Sequence, residues 1–478
     1  MSQSGKTGNT VYPLEELRQI LNGKLKHIGG LGGVGSFSIN SRSLKQGDWF
    51  FCVRGERTDG HQYISEALER GAVGVVLDPS RIPEELCDRE FPRIEVADPN
   101  LALRDWAAEA RSRFGGKVLG ITGSNGKTST KEMLAGLCQG LGERADATRG
   151  NFNNLIGVPL TLLEASRQSA WWVIEMGTNQ FGEIEELSRI VRPDGAILTG
   201  IAESHLEFLR NTEGVAREKA GIIRGMPPGA PLVIPSGMKH EDLVRRLAER
   251  SGVRMVRFRI DGEAVEPAEH ELKVLEKNDQ CLCFELFGFE FRMRPLNPLQ
   301  LRNLTAGMVL LREQGIDAER LREAASGIGL SVSGRFEWKS FGDGWLVDDS
   351  YNANPGSFRG VLDAIRSMHP KAELTVVAGP MAELGERSAT LHREVGEMLF
   401  VSGCTRLFVL GGDSGKGYLE GWHRAGGENT HAVRFENLPE LLDAFLESWS
   451  ASEVVLVKGS RSARMERFVE AILNPDRK

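Results

Sequence analysis

Positive charge is nowhere in excess in this sequence, and that absence removes one class of function at once. Lys and Arg number 59 against 66 Asp and Glu, for a formal net charge of −7 and a pI near 5.9. No bulk field attracts a phosphate backbone and no basic run does so locally, so nucleic acid is not an expected partner. A small phosphorylated metabolite held by a single loop is compatible with an acidic surface. Long apolar runs are missing too. The opening stretch MSQSGKTGNTVYPLEELRQ has no hydrophobic region of the kind a secretory leader carries, and no run reaches the ~18 apolar residues that would read as a membrane span. No membrane association is expected, and the cytoplasm is the expected location.

Cysteine is sparse. The six (Cys52, Cys87, Cys138, Cys281, Cys283 and Cys404) are scattered, and only Cys281 and Cys283 lie close. Their one-residue spacing is not the C-x-x-C of a zinc or redox site. On a strand they would share one face as small core residues, and free thiols fit a reducing compartment. Aromatics make up 7% of the chain, and internal repeats and low-complexity tracts are absent.

What is present is a globular composition of 40% hydrophobic and 26% charged residues over 478 positions, long enough for about three domains. A helix is predicted over residues 13–22, with Leu14, Leu17, Ile20 and Leu21 on one face. A strand over 48–53, a helix near 62–70 and an apolar strand over 72–77 follow. Pro92 and Ala97-Asp-Pro-Asn100 mark a boundary, so a first domain is expected over 1–98. A second is expected over 99–328. It opens with a helix over 101–114, and its apolar strands at 118–121, 171–176 and 196–199 alternate with amphipathic helices. Such alternation predicts a parallel sheet covered on both faces. Between 254 and 294 the period changes to two, with Phe287, Phe289, Phe291 and Met293 alternating against Gly and charged residues, which predicts antiparallel strands. A helix over 299–313 closes this part. A third domain, 329–478, has strands predicted at 345–347, 374–378, 407–410 and 454–457 between helices, a second doubly wound, Rossmann-like unit. The expected fold is α/β in three domains, the central one a parallel-sheet, P-loop-like nucleotide domain.

The most informative segment is Thr122-Gly-Ser-Asn-Gly-Lys-Thr128, between a predicted strand and a predicted helix. Gly123 and Gly126 let the backbone approach closely, so that successive N–H groups from Thr122, Ser124 and Asn125 can face phosphate oxygens. The helix that follows aims its positive end at the same anion. Lys127 suits terminal phosphates and the Thr128 hydroxyl suits Mg²⁺. The strict P-loop requires glycine where this chain has Ile121. Ligands of open parallel sheets sit beyond the carboxyl ends of the strands, which brings Glu175 and, through Thr199-Gly-Ile-Ala-Glu-Ser-His205, His205 into view. Each also has an ordinary reading: Glu175 as a cap or solvated group, His205 as a surface loop residue, Lys219 as an exposed helical lysine.

Longer motifs carry a resemblance. Gly150-Asn-Phe-Asn-Asn-Leu-Ile-Gly-Val-Pro159, Asp348-Asp-Ser-Tyr-Asn-Ala-Asn-Pro355, Glu383-Leu-Gly-Glu386, His392-Arg-Glu-Val-Gly396 and Val457-Lys-Gly-Ser-Arg461, together with the phosphate loop, resemble the Mur ligases over all three predicted domains. Within that family the run Asp348–Pro355 resembles the branch that adds D-alanyl-D-alanine to UDP-N-acetylmuramoyl-tripeptide in peptidoglycan synthesis. The resemblance implies ATP and Mg²⁺, both those substrates, an acyl-phosphate intermediate, and a monomer. It implies roles for individual residues as well. Lys127 and Thr128 would hold the terminal phosphates and Mg²⁺, with Glu175 and His205 completing the metal environment. Lys219 would be carried as a carbamate, a hard oxygen anion suited to Mg²⁺. Arg335 would reach the transferred phosphoryl group, while Asn303, Asp349 and Asn352 would line the nucleotide. Ser41, Arg42, Thr58, Asp59, Gly60 and His61 would hold the UDP-sugar, and Asn151, Asn153 and Asn154 would lie on the substrate side. Three departures stand out: Asn40 where relatives more often have Asp, Leu299-Gln300 where a His-Asn pair is usual, and Pro380 in place of an Asp. Competing readings are another amide ligase of the superfamily, either an amino-acid-adding Mur ligase or a folylpolyglutamate synthase, and a nucleotide-binding protein without catalysis.

Overall fold

The computed structural model describes residues 10–55, 58–263, 266–278, 280–328, 333–450 and 452–474, and the backbone of 4–6. Three large sheets follow one another along the chain. The first runs, edge to edge, Ser4–Lys6, Ser36–Ser38, Trp49–Phe51, Gly74–Leu77, Arg93–Glu95, Lys24–Lys26. Its four inner strands are parallel and its two edge strands antiparallel.

The second sheet has nine strands, and its order positions the site. Lys117–Thr122 lies between Trp171–Glu175 on one side and Gly195–Leu198 on the other, all parallel. The chain thus leaves the central strand in one direction and returns in the other, so the carboxyl end of Lys117–Thr122 is the crevice where such sheets bind ligands. Every residue of Trp171–Glu175 and Gly195–Leu198 is buried, as a strand covered on both faces requires. The period-two expectation for residues 254–294 needs correction. Arg254–Ile260 pairs parallel with Pro231–Pro235 and with His270–Lys277, extending the main sheet, and only His270–Lys277, Leu282–Leu286 and Phe289–Met293 are antiparallel. Phe287 and Gly288, both at positive φ, form the tight turn between the last two strands rather than continuing the alternation. Cys283 is buried in this hairpin as expected, but Cys281 is half-exposed beside the Arg292 guanidinium.

The third sheet runs Glu337–Phe341, Gly344–Asp349, Val454–Lys458, Leu374–Ala378, Cys404–Leu410, Ala432–Phe435, parallel except for its first strand. Its first and last strands and the helix Ala318–Ser326 were not foreseen from the sequence. The expected junction at 328/329 abuts residues 329–332, which lie outside the described residues.

Helix Pro99–Ser112 joins the first two sheet units. Asp98 caps it through the Asn100 and Leu101 amides and Pro99 occupies its first turn, where proline costs no hydrogen bond. Trp106 is fully buried and meets Tyr12, Phe37 and Phe51 of the first unit. Arg104 and Arg111 of the same helix pair with Glu186 and Asp194 of the central unit.

Candidate functional site

The loop after Lys117–Thr122 shows why the strict P-loop glycine is dispensable here. Ile121 is still in the strand, with its side chain fully buried, so the turn starts later. Gly123 does the work: it has φ +144°, and a Cβ there would sit 2.0 Å from Thr199 Oγ1. Gly126, at φ +80°, is the residue immediately before helix Lys127–Gly140, and a Cβ on it would press on Asn303 Oδ1 at 3.0 Å. Thr122 donates its hydroxyl to Met176 O at 2.9 Å, and Ser124 Oγ exchanges hydrogen bonds with Ala202. These two side chains build the loop, and the Ser124 N–H, expected to face a phosphate, instead donates to Gly200 O at 2.9 Å. Lys127 Nζ folds back onto Gly123 O at 2.8 Å. Burial lowers its pKa, opposed by the nearby Glu175 and reinforced by Arg335.

Glu175 is buried, not the cap or solvated group of its ordinary reading. The register pairs it with Ile121, which places its carboxylate beside the first turn of the phosphate helix. There Oε2 accepts from Thr128 Oγ1 at 2.8 Å and Oε1 from Asn153 Nδ2 at 2.7 Å. Asn153, expected on the substrate side, is therefore bonded to Glu175. Asn154 Oδ1 accepts from the Ile156 and Gly157 amides where the chain enters helix Gly157–Glu164, and Asn151 is exposed.

Lys219 ends helix Thr212–Lys219 and is 0% exposed, so the exposed-lysine reading fails. Its Nζ has no hydrogen-bond partner among the described residues. Burial holds its pKa well below the ordinary lysine value, and Lys127 lowers it further. His205 sits at φ +53° just before the one-turn helix Leu206–Leu209, and its Nδ1 is 2.5 Å from Glu383 Oε2 of the third sheet unit. The approach lies off the line of an aligned hydrogen bond. Burial lowers the imidazole pKa, Glu383 opposes this, and Lys219 and Lys127 reinforce it.

The third unit reaches the loop through the run at 348–355. Asn354 caps helix Pro355–Met368 and exchanges side-chain amide hydrogen bonds with Asn125, 2.8 Å from Nδ2 to Asn125 Oδ1. Asp349 is not free to face a ligand with both oxygens: Oδ1 accepts from Phe336 N at 2.9 Å and Oδ2 pairs with the buried Lys458. Asn352 is exposed, and its carbonyl accepts from Lys458 Nζ at 3.0 Å. Arg335 stacks 4.0 Å over the Tyr351 ring, and its charge is felt at Lys127. Asn354, Lys458 and Glu383 all lie in motifs visible in the sequence, but nothing there assigns their partners. Lys131 was missed altogether: it is buried on the phosphate helix and donates to Thr148 O at 2.6 Å. Its spacing of four from Lys127 was the available signal. Gln300 completes a capping box with Asn297 on helix Pro298–Glu313, so this departure has a structural use at the start of the helix that carries Asn303.

The residues expected to hold a UDP-sugar are gathered at one edge of the first unit, and most are engaged within the chain. Asn40 Oδ1 accepts from Arg42 N, the turn-forming job expected of it, and Ser41 Oγ donates to Glu66 at 2.7 Å. His61 is buried, with Nε2 accepting from Asp78 N at 2.9 Å and Nδ1 2.6 Å from Asp59 Oδ1. Gly60 is required by packing, since a Cβ would meet the Cys52 backbone at 2.8 Å. Arg42 and Thr58 are exposed.

Family models match along most of the chain: "Mur ligase family, catalytic domain" over residues 34–111, "Mur ligase middle domain" over 121–311 and "Mur ligase, glutamate ligase domain" over 334–461. The UDP-N-acetylmuramoyl-tripeptide–D-alanyl-D-alanine ligase of Bacillus subtilis (strain 168) is 31% identical over 91% of this chain and 92% of its own length. The chain belongs to the Mur ligase family. Among solved structures, this Mur ligase is similar to MurF from Acinetobacter baumannii, with a TM-score of 0.84 at 26% identity over 98% of this chain and 100% of the other. It is also similar to the MurF ligase from Thermotoga maritima in complex with ADP, with a TM-score of 0.75 at 28% identity over 91% of this chain and 96% of the other. In this Mur ligase the loop, Glu175, His205 and Lys219 converge from four separate segments of the central unit, and Asn354 and Glu383 reach them from the third.

Proposed function

We propose that this Mur ligase joins D-alanyl-D-alanine to UDP-N-acetylmuramoyl-tripeptide at the expense of ATP, as a step of peptidoglycan precursor synthesis. The observation that carries the reading is the meeting of the loop Thr122–Thr128 with the run 348–355 through the Asn125–Asn354 pair. That contact sets the dipeptide-branch motif on the phosphate loop, in a chain similar over more than nine-tenths of its length to ligases of that name.

The chemistry proceeds in two balanced steps. A carboxylate oxygen of the tripeptide attacks the γ-phosphorus, the bond to the β,γ-bridging oxygen breaks, and ADP leaves. The free amine of the dipeptide then adds to the acyl carbon, the bond from carbon to the phosphate oxygen breaks, and phosphate and a proton depart. Phosphoryl transfer asks the protein mainly for positioning and charge neutralisation. Lys127, Arg335 and the amides at the start of helix Lys127–Gly140 supply the cationic side, and Asn303 flanks the loop at Gly126.

Mg²⁺ fits the residues present. No group of three or more His, Cys, Asp and Glu forms a ready cage among the described residues, but Mg²⁺ keeps several waters and takes one or two carboxylates beside substrate phosphates. Thr128 Oγ1 with Glu175 is such a donor set, His205 adjoins it, and the orphaned amine of Lys219 is chemically suited to become a carbamate. Bound there, Mg²⁺ would neutralise charge on the terminal phosphates. A neutral lysine amine is the form that adds CO₂, and the low pKa of Lys219 favours that form.

The same reading divides the chain into a UDP-sugar domain over 1–98, an ATP domain over 99–328 and a dipeptide-side domain over 329–478, with the helix from Pro99 as a shared wall. It makes the protein a cytoplasmic monomer. No helix among the described residues is long and apolar enough to cross a membrane. The deciding assay is phosphate release from ATP with UDP-N-acetylmuramoyl-tripeptide, with and without D-alanyl-D-alanine. Release that requires the dipeptide supports the assignment, and release indifferent to it points to another acceptor. Lys219→Ala is expected to lose turnover and to regain part of it with short carboxylic acids. Full activity in that variant would rule the carbamate role out.

A further inference from the structure

Three contacts bring the turn 383–385 of the third unit against the segment that begins at His205. Glu383 Oε2 lies 2.5 Å from His205 Nδ1. The carbonyl of Glu383 accepts from Glu207 N at 3.3 Å. Gly385, at φ +56°, packs so closely that a Cβ would reach Glu207 Cα at 3.0 Å. The two residues that meet, His205 and Glu383, are both non-glycine residues in the left-handed region, at φ +53° and +60°. Such conformations persist where the surroundings over-determine them, and they concentrate at functional sites.

A neutral imidazole carries one proton, and its ligating nitrogen is chosen by what the other nitrogen binds. A carboxylate this close to Nδ1 favours the proton there through its charge and leaves the Nε2 lone pair available, as the carboxylates beside metal-ligating histidines commonly do. Here the carboxylate and the imidazole belong to different sheet units. We propose that Glu383 is a positioning residue for His205: docking of the third unit fixes the tautomer and direction of the imidazole and so completes the metal side of the phosphate site. The phosphate loop is pinned in the same docking event by Asn354 on Asn125. The inference rests on the ligase reading above and adds to it a physical link between docking and metal binding.

The test reads metal affinity apart from turnover. Mn²⁺ stands in for Mg²⁺, and its binding to the full-length enzyme with ADP is followed by electron paramagnetic resonance. Glu383→Ala is expected to weaken Mn²⁺ binding by about 10- to 100-fold and to lower kcat more than it raises the KM for either substrate. Glu383→Gln, which keeps an amide oxygen at the same reach beside Nδ1 without the charge, should recover part of the loss. Thermal unfolding should be unchanged, since the Glu383 side chain is 41% exposed. On a His205→Ala background, Glu383→Ala should cost nothing further. Unchanged Mn²⁺ affinity in Glu383→Ala, or an equal further loss on the His205→Ala background, overturns the proposal. Wild-type enzyme that binds Mn²⁺ and ADP but forms no peptide bond would sink the ligase reading, while the Mn²⁺ comparison would still decide the role of Glu383.

Discussion

Two polar clusters in this protein were legible as motifs, and they have opposite fates in the fold. At the edge of the first unit, Ser41, Asp59 and His61 spend their hydrogen-bonding groups on Glu66, Arg81, Asp78 and one another. In the crevice of the central unit, Lys219 is buried with no hydrogen-bond partner among the described residues, Lys127 donates to the loop carbonyls of Gly123 and Ser124, and the Glu175 carboxylate is held by Thr128 and Asn153. The first cluster shapes a turn and leaves Arg42 exposed. The second retains unspent polar capacity at the buried Lys219 amine. Unsatisfied buried groups cost stability, so a chain that keeps them at a sheet switch point has a use for them there.

Substitutions sharpen or break this contrast. The largest effect is expected for Lys127→Ala, a fall in turnover of about 10²- to 10³-fold with the fold retained, checked by phosphate release beside a thermal melt. Normal ligation in that variant would dismantle the site. His61→Ala should behave in the reverse way. It strands the Asp78 amide, while Asp59 keeps the residue-61 amide and Arg81, and is expected to cost about 1–3 kcal/mol of stability in denaturant unfolding. Arg42→Ala should leave stability within about 0.5 kcal/mol and raise the KM for the UDP-substrate about tenfold. If Arg42→Ala instead unfolds the domain, the division between shaping and contacting residues in the first cluster is wrong.

The smallest expected effect concerns pH, at a histidine outside both clusters. His392 is buried, accepts from Met381 N at 3.0 Å and faces Ser388 O, and burial lowers its pKa from 6.5. A base whose pKa is depressed on folding binds its proton better in the unfolded chain. Acid therefore favours unfolding, and the stability lost should grow by at most about 1.4 kcal/mol per pH unit below about 6.5. His392→Gln should flatten that part of the stability–pH curve. An unaltered curve would show that the acid sensitivity lies elsewhere.

Much of this organisation was readable because it is local. Apolar strands buried on both faces and the glycines at 123 and 126 each depend on a few adjacent residues, whereas the helix expected from 101 starts two residues earlier, at Pro99. The misreadings came where a neighbour far along the chain decides. Parallel pairing of Arg254–Ile260 depends on Pro231–Pro235 and not on its own alternation. Phe287 looks like a strand residue until the turn with Gly288 is seen. Lys219 reads as a surface lysine because it is a lysine on a predicted helix; nothing local says that its helix packs with Nζ inward.

The sequence by itself determined three α/β units, a phosphate loop with its glycine displaced from 121 to 123, and membership of a ligase family, since backbone conformation and hydrophobic period are written in short windows. Only the tertiary structure decided which polar groups meet: Glu175 on Thr128, Asn354 on Asn125, Glu383 on His205, and Lys219 without a hydrogen-bond partner among the described residues. The reason is physical. Burial and electrostatic pairing are set by segments that lie 47, 229 and more than 170 residues apart, and their register comes from sheet order and docking, which no single window contains.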